Sequence, residues 1–148
     1  MNASEYWDQF LRQHPELEHK ATPPSYYYGD NQAVADECAE LVVQKVKRST
    51  TSSLWWFQQH NEALPQPGDL AIGTNWEGDA KAVVITTKVE IVKFKDISPT
   101  YAIIEGEGDK SLAYWKKVHW EYFANEMKPF GASPNEDMEL VCEWFETL

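Results

Sequence analysis

Residues 80–94 read AKAVVITTKVEIVKF, and they decide the fold class. Val83, Val84, Ile85, Thr86, Thr87, Val89, Ile91 and Val92 are β-branched. Such side chains lose rotamer freedom in a helix and pack well on a pleated sheet. Over Val89, Ile91 and Lys93 the pattern alternates as a half-buried strand does. The run predicts one long strand, or two joined by a bulge.

Working outward, the turn PQPGD at residues 65–69 precedes a short strand, Leu70–Thr74. A last strand, Glu139–Phe145, alternates Leu140, Cys142 and Trp144. Helical periodicity marks four other segments. Residues 4–13 place Tyr6, Trp7, Phe10 and Leu11 on one face, with Ser4 as N-cap. Residues 31–44 follow Asn31 as cap and present Ala35, Cys38, Ala39, Val42 and Val43 as a buried stripe. Residues 98–104 form a short helix. Residues 111–126 form a longer one, with Leu112, Trp115, His119, Tyr122 and Phe123 on one face. SSLWWFQQHNE reads as a short helix or turn, and HPELEHKATPPSYYYGD as a proline-broken loop. Helices interleaved with short strands predict an α+β fold, a small β-barrel flanked by helices.

The chain has 148 residues, enough for one domain, and a formal net charge of -11 with only 13 Lys and Arg. No apolar run approaches the roughly 18 residues a membrane span needs, so no membrane partner is expected. MNASEYWDQF carries no basic or apolar leader pattern, and a cytoplasmic protein is expected. Cys38 and Cys142 lack CxxC spacing and read as buried thiols. The acidity argues against broad, non-specific binding of nucleic acid while leaving room for a small cationic pocket. No protein partner is evident.

Two stretches carry candidate chemistry. The first, KVKRSTTSSL at residues 45–54, concentrates Lys45, Lys47 and Arg48 ahead of five consecutive hydroxyl residues, Ser49 to Ser53. This stretch holds a lysine near a hydroxyl, and a desolvated lysine whose pKa is lowered to give the neutral amine can activate a hydroxyl nucleophile. The same residues also suit a solvated helix end running into extended chain. The second is AIIEGEGDKSL, where Glu105, Glu107 and Asp109 alternate with Gly106 and Gly108. Clustered carboxylates suit a divalent cation such as Mg2+ or Mn2+, or one carboxyl working as acid or base. Equally, this is an acidic loop with Asp109 capping the next helix. His119 reads as a core histidine whose approach to the acidic loop gives it a functional option. Trp55, Trp56 and Trp76 are candidates to stack on a base, though most tryptophans in so aromatic a chain belong to the core. Tyr26, Tyr27 and Tyr28 either line a cleft or lid the core.

LVVQKVKRSTTSSLWW, PQPGD, AVVITTKVEIVKF and EGEGDKSLAYWKKVHWEYF, in that order, resemble the ASCH family, a branch of the PUA-like proteins associated with RNA. The resemblance covers residues 31–148 and leaves residues 1–30 as a helix and proline-rich loop packed on the domain. The family's signature is Gly, any residue, Lys, two residues, Thr. Lys47 and Thr50 match its Lys and Thr, while Lys45 stands at the Gly. A register pairing Arg48 with Thr51 is chemically poorer, because a guanidinium cannot act as a base. The resemblance implies catalytic roles for Lys47, Thr50 and Glu107, with Glu105 the fallback. Ligand contacts are expected from Arg48, Ser49, Thr51, Ser53, Trp56, Tyr27, Glu105, Asp109 and His119, as the walls of one cleft. A metal, if used, would sit on Glu105, Glu107 and Asp109. Family members are described as ribonucleases on single-stranded RNA, as amidohydrolases that deacetylate N4-acetylcytidine, or as RNA-binding modules. Chain length and the EGEGD loop lean toward RNA binding with ribonuclease activity, the nucleoside amidohydrolase being the alternative.

Overall fold

A computed structural model describes all of residues 1–148. The β-branched run forms β4 (Ala80–Lys93), which pairs antiparallel with β3 (Leu70–Thr74) on one side and β5 (Glu139–Thr147) on the other. It is one strand with a register shift between Thr86 and Lys88, the bulged form of the expected run. β5 pairs on its other edge with β2 (Ser49–Ser53), so the hydroxyl row is a strand. The loop after residue 14 contributes an element that proline content had hidden: β1 (Ser25–Tyr26), parallel to β3. The order is β1-β3-β4-β5-β2. This is the α+β class expected, with one adjustment. β1 and β2 are opposite edges, and the sheet is not closed into a barrel.

Helices cover the sheet. α1 (Ala3–Gln13) starts from a capping box between Asn2 and Glu5, two residues before the Ser4 expected. Its Trp7 is buried with Ile72, Ala80 and Val83. α2 (Gln32–Val43) is capped by Asn31 and buries Ala35, Cys38, Ala39 and Val42. Val43 is 42% exposed, because that i, i+3, i+4, i+7 stripe already covers the sheet. Val42 and Cys38 pack with Val84, Phe145 and Tyr28. On the other face Leu140 and Cys142 meet Phe94, Tyr101, Trp115 and Phe123. Those last residues come from α4 (Pro99–Glu105), α5 (Leu112–Met127) and the 3-10 turn between β4 and α4. α3 (Leu54–His60) follows β2 directly, capped by Ser53. No helix is long and apolar enough to cross a membrane.

Candidate active site

The site begins where α2 stops. Val46 N bonds Leu41 O and Lys45 N bonds Val42 O, a Schellman closure whose turning residue, Lys45, takes φ 62°. This is the signature position where the family has Gly. The lysine adopts the glycine conformation, at a cost of roughly 1–2 kcal/mol. The closure swings Val46–Arg48 across the sheet end before β2 starts. That turn puts Lys47 and Thr50 into one cleft despite their odd spacing.

The second half comes from α4. The helix ends at Glu105 with Gly106 at φ 74°. A Cβ on Gly106 would lie 2.5 Å from Val46 O and 3.2 Å from Lys47 N. Arg48 N bonds Ile104 O at 2.9 Å. The acidic loop can therefore press directly on the Lys47 backbone, and only glycine permits it.

Inside this joint Lys47 is 2% exposed. Its Nζ donates to Ser49 O at 2.8 Å, to Glu105 Oε2 at 3.3 Å and to Glu107 Oε2 at 3.3 Å. His119 Nε2 reaches Glu105 Oε2 at 3.2 Å, and its Nδ1 meets Trp115 O at 2.8 Å. Two acceptors facing both ring nitrogens call for the doubly protonated imidazolium. Thr51 donates to Glu105 Oε1 and bonds Tyr101 OH at 2.8 Å. Cys38 Sγ donates to Glu107 Oε1 at 3.0 Å.

These contacts set the charges. Burial disfavours an ionised Glu105, but Lys47 and His119 override it and hold the carboxyl well below its ordinary range. Burial pulls Lys47 down, and Glu105 and Glu107 more than reverse it. The ammonium therefore stays protonated, which corrects the idea of a lysine base with a lowered pKa. Burial likewise lowers His119 while Glu105 raises it above its ordinary value. Glu107 goes the other way: burial raises it, Lys47 opposes, and the Glu105 charge adds to the rise.

The network floors a cleft of about 880 Å³. Lys47, Thr50, Thr51, Trp56, Tyr27, Glu105, Glu107 and His119 all line it. Four expected residues do not. Arg48 is exposed and outside. Ser49 is fully buried and lends only its carbonyl to Lys47. Ser53 caps α3 and donates to Glu126 Oε2. Asp109 is exposed and accepts from Ser111 N, while Ser111 itself caps α5. The cap expected of Asp109 is thus Ser111, and the third donor near the two glutamates is His119 rather than Asp109. That donor set fits a divalent ion poorly, because the Lys47 ammonium already occupies the position between the carboxylates.

Of the tyrosine run, Tyr28 is core, Tyr26 lines the cleft and Tyr27 packs at its mouth against Trp76, ring centroids 4.7 Å apart. Three contributors were not expected as site residues: Tyr101 and Cys38, which carried no usable local signal for it, and Glu143, which lines the cleft from β5. A carboxylate on the Val141–Phe145 face of an otherwise apolar strand was the one available clue to Glu143.

The cleft is acidic. Asp30, Glu62, Asp69, Glu105, Glu107, Glu121 and Glu143 line it, and Lys47 is its only Lys or Arg.

The ASCH domain family model matches residues 24–148. The ASCH domain from Lactobacillus crispatus JV V101 superposes with a TM-score of 0.91 at 33% identity, covering 98% of this chain and 92% of that one. A protein from Enterococcus faecalis V583 superposes with a TM-score of 0.90 at 32% identity, covering 99% and 88%. A search of curated proteins returned no significant match. With the fold, the Lys–Thr segment and the glycine-spaced carboxylates in one joint, the chain belongs to the ASCH domain family.

Proposed function

We propose that the protein hydrolyses an acyl amide on a small, uncharged nucleoside, with N4-acetylcytidine as the substrate to try first. The observation that carries this reading is the charge of the cleft. Its two cations, the Lys47 ammonium and the His119 imidazolium, are already paired with Glu105 and Glu107, and five further carboxylates surround them. Binding an RNA backbone relies on cations that meet successive phosphates, and Arg48 lies outside. A neutral nucleoside meets no such penalty, and Trp56 and Tyr27 offer faces for its base.

In this reading Thr50 Oγ1 attacks the amide carbonyl. The Lys47 ammonium, held protonated by its two carboxylates, acts through its charge on the oxygen where negative charge develops, its three N–H groups being taken by Ser49 O, Glu105 and Glu107. Glu107, the more exposed of the pair at 15% against 1%, holds Lys47 toward the substrate. Glu105 is the fixed anion beneath, anchored by His119 and Thr51.

Single-stranded RNA is the second reading, favoured by the same stacking aromatics and by the family's association with RNA. Purified protein is incubated with N4-acetylcytidine and with single-stranded RNA, each with and without EDTA, beside Lys47→Ala. Deacetylation that survives EDTA and disappears in the variant is expected. RNA cleavage without deacetylation overturns the reading, and RNA bound without turnover of either reduces the protein to a binding module.

A further inference from the structure

Thr50 needs a proton acceptor, and the two glutamates of the buried network are poorly placed to be it. Both oxygens of each are taken. Glu105 accepts from Thr51 on one oxygen and from Lys47 and His119 on the other. Glu107 accepts from Cys38 and from Lys47. Their hydroxyl partner is Thr51, whereas Thr50 contributes only its carbonyl, to Tyr101 OH.

The carboxylate beside Thr50 comes from another strand. In the antiparallel β2–β5 pair, Thr50 stands directly opposite Glu143. Side chains at such positions share a face, with Cβ atoms about 5 Å apart. Both residues line the cleft. Glu143 is fixed from its far side: Thr86 Oγ1 donates to its Oε1 at 2.6 Å. Thr86 pairs with Phe145, two residues along β5, so it shares the face as well. Glu143 Oε2 is left for the cleft.

We propose that Glu143 is the general base for Thr50, an assignment that rests on the amide-hydrolysis reading above. As Thr50 Oγ1 bonds to the amide carbonyl carbon, its proton passes to the Glu143 carboxylate. The carbonyl π pair moves onto oxygen, on which the Lys47 ammonium acts through its charge. Collapse of the adduct breaks the C–N bond, and Glu143 returns the proton to the departing nitrogen. Water then attacks the Thr50 ester, losing its proton to Glu143, which delivers it to Thr50 Oγ1 as the acid leaves. Amide and water give acid and amine, with the enzyme restored.

The groups facing Glu143 are Thr86 of β4, Asp69 before β3, and the phenols of Tyr26 and Tyr28. Burial raises its carboxyl, Thr86 opposes, and Asp69 adds to the rise.

The test uses full-length protein and N4-acetylcytidine. Glu143→Gln keeps shape and the Thr86 bond; its kcat is expected to fall about 10²–10⁴-fold with KM nearly unchanged and cooperative unfolding retained. Thr86→Val removes the bond that favours the ionised carboxylate, so the acid limb of the kcat/KM profile moves to higher pH. Thr50→Ala is inactive. A Glu143→Gln protein with wild-type kcat, or an acid limb unmoved in Thr86→Val, overturns the role of Glu143 and leaves the amide reading standing. A wild-type protein that hydrolyses no acyl amide, N4-acetylcytidine included, overturns both.

Discussion

Lys47 Nζ lies 3.3 Å from Glu105 Oε2 with both side chains almost fully buried, 2% and 1% exposed. Ionised groups taken out of water are tolerated only when paired, and removing one partner strands the other. Here one ammonium answers two carboxylates, so its loss leaves Glu107 without a cation and Glu105 with His119 alone.

Lys47→Met is therefore expected to cost about 3–5 kcal/mol of stability. Combining it with Glu107→Gln recovers part of that loss, because the charge left without a cation is gone. Urea unfolding of the two single variants and the double variant gives the coupling. A Lys47→Met protein within about 1 kcal/mol of wild type would show the pair to be solvated.

His119 gives the network a pH dependence of known sign. Its folded-state pKa is raised by Glu105 above the ordinary value of 6.5, so its contribution is complete below that value. The contribution is lost as pH rises through the higher, folded-state pKa. Glu105, depressed in the fold, contributes above the ordinary carboxyl range and loses its contribution as pH falls through its folded-state value. Wild-type urea midpoints should thus decline from pH 6 toward pH 8.5. In His119→Gln, which keeps a neutral donor for Glu105, that decline should be much weaker. Parallel slopes in the two proteins would remove His119 as the origin.

Two positions of positive φ near Lys47 should respond in opposite directions. Gly106→Ala places a methyl group 2.5 Å from Val46 O at φ 74°, forcing the acidic loop off Lys47. It is expected to cost 2 kcal/mol or more, about the left-handed penalty plus the displaced contact, and to abolish turnover. Lys45→Gly relieves the same penalty at an exposed helix end and should stabilise by about 1 kcal/mol with kcat unchanged. Thermal unfolding and activity of each variant check the pair. A stabilised Gly106→Ala would contradict the close approach.

The sequence by itself determined the elements. β-branching from Ala80 to Lys93, the apolar stripes of α2 and α5, and the cap Asn31 are local, because periodicity and capping act within a few residues. It also marked Lys47 and the glycine-spaced glutamates, since cation, carboxylate and glycine are unusual neighbours in their own stretches. It did not show that Arg48 turns away while Lys47 turns in. That follows from the Schellman closure at Lys45, which sets the direction of the chain entering β2. Nor did it show that β1 joins the sheet, or that Glu105 chooses Thr51 while Glu143 stands opposite Thr50. Those relationships join residues 47 to 93 positions apart, fixed by strand register and helix packing. A strand's own pattern fixes which face a side chain takes, and only its pairing decides what it meets there.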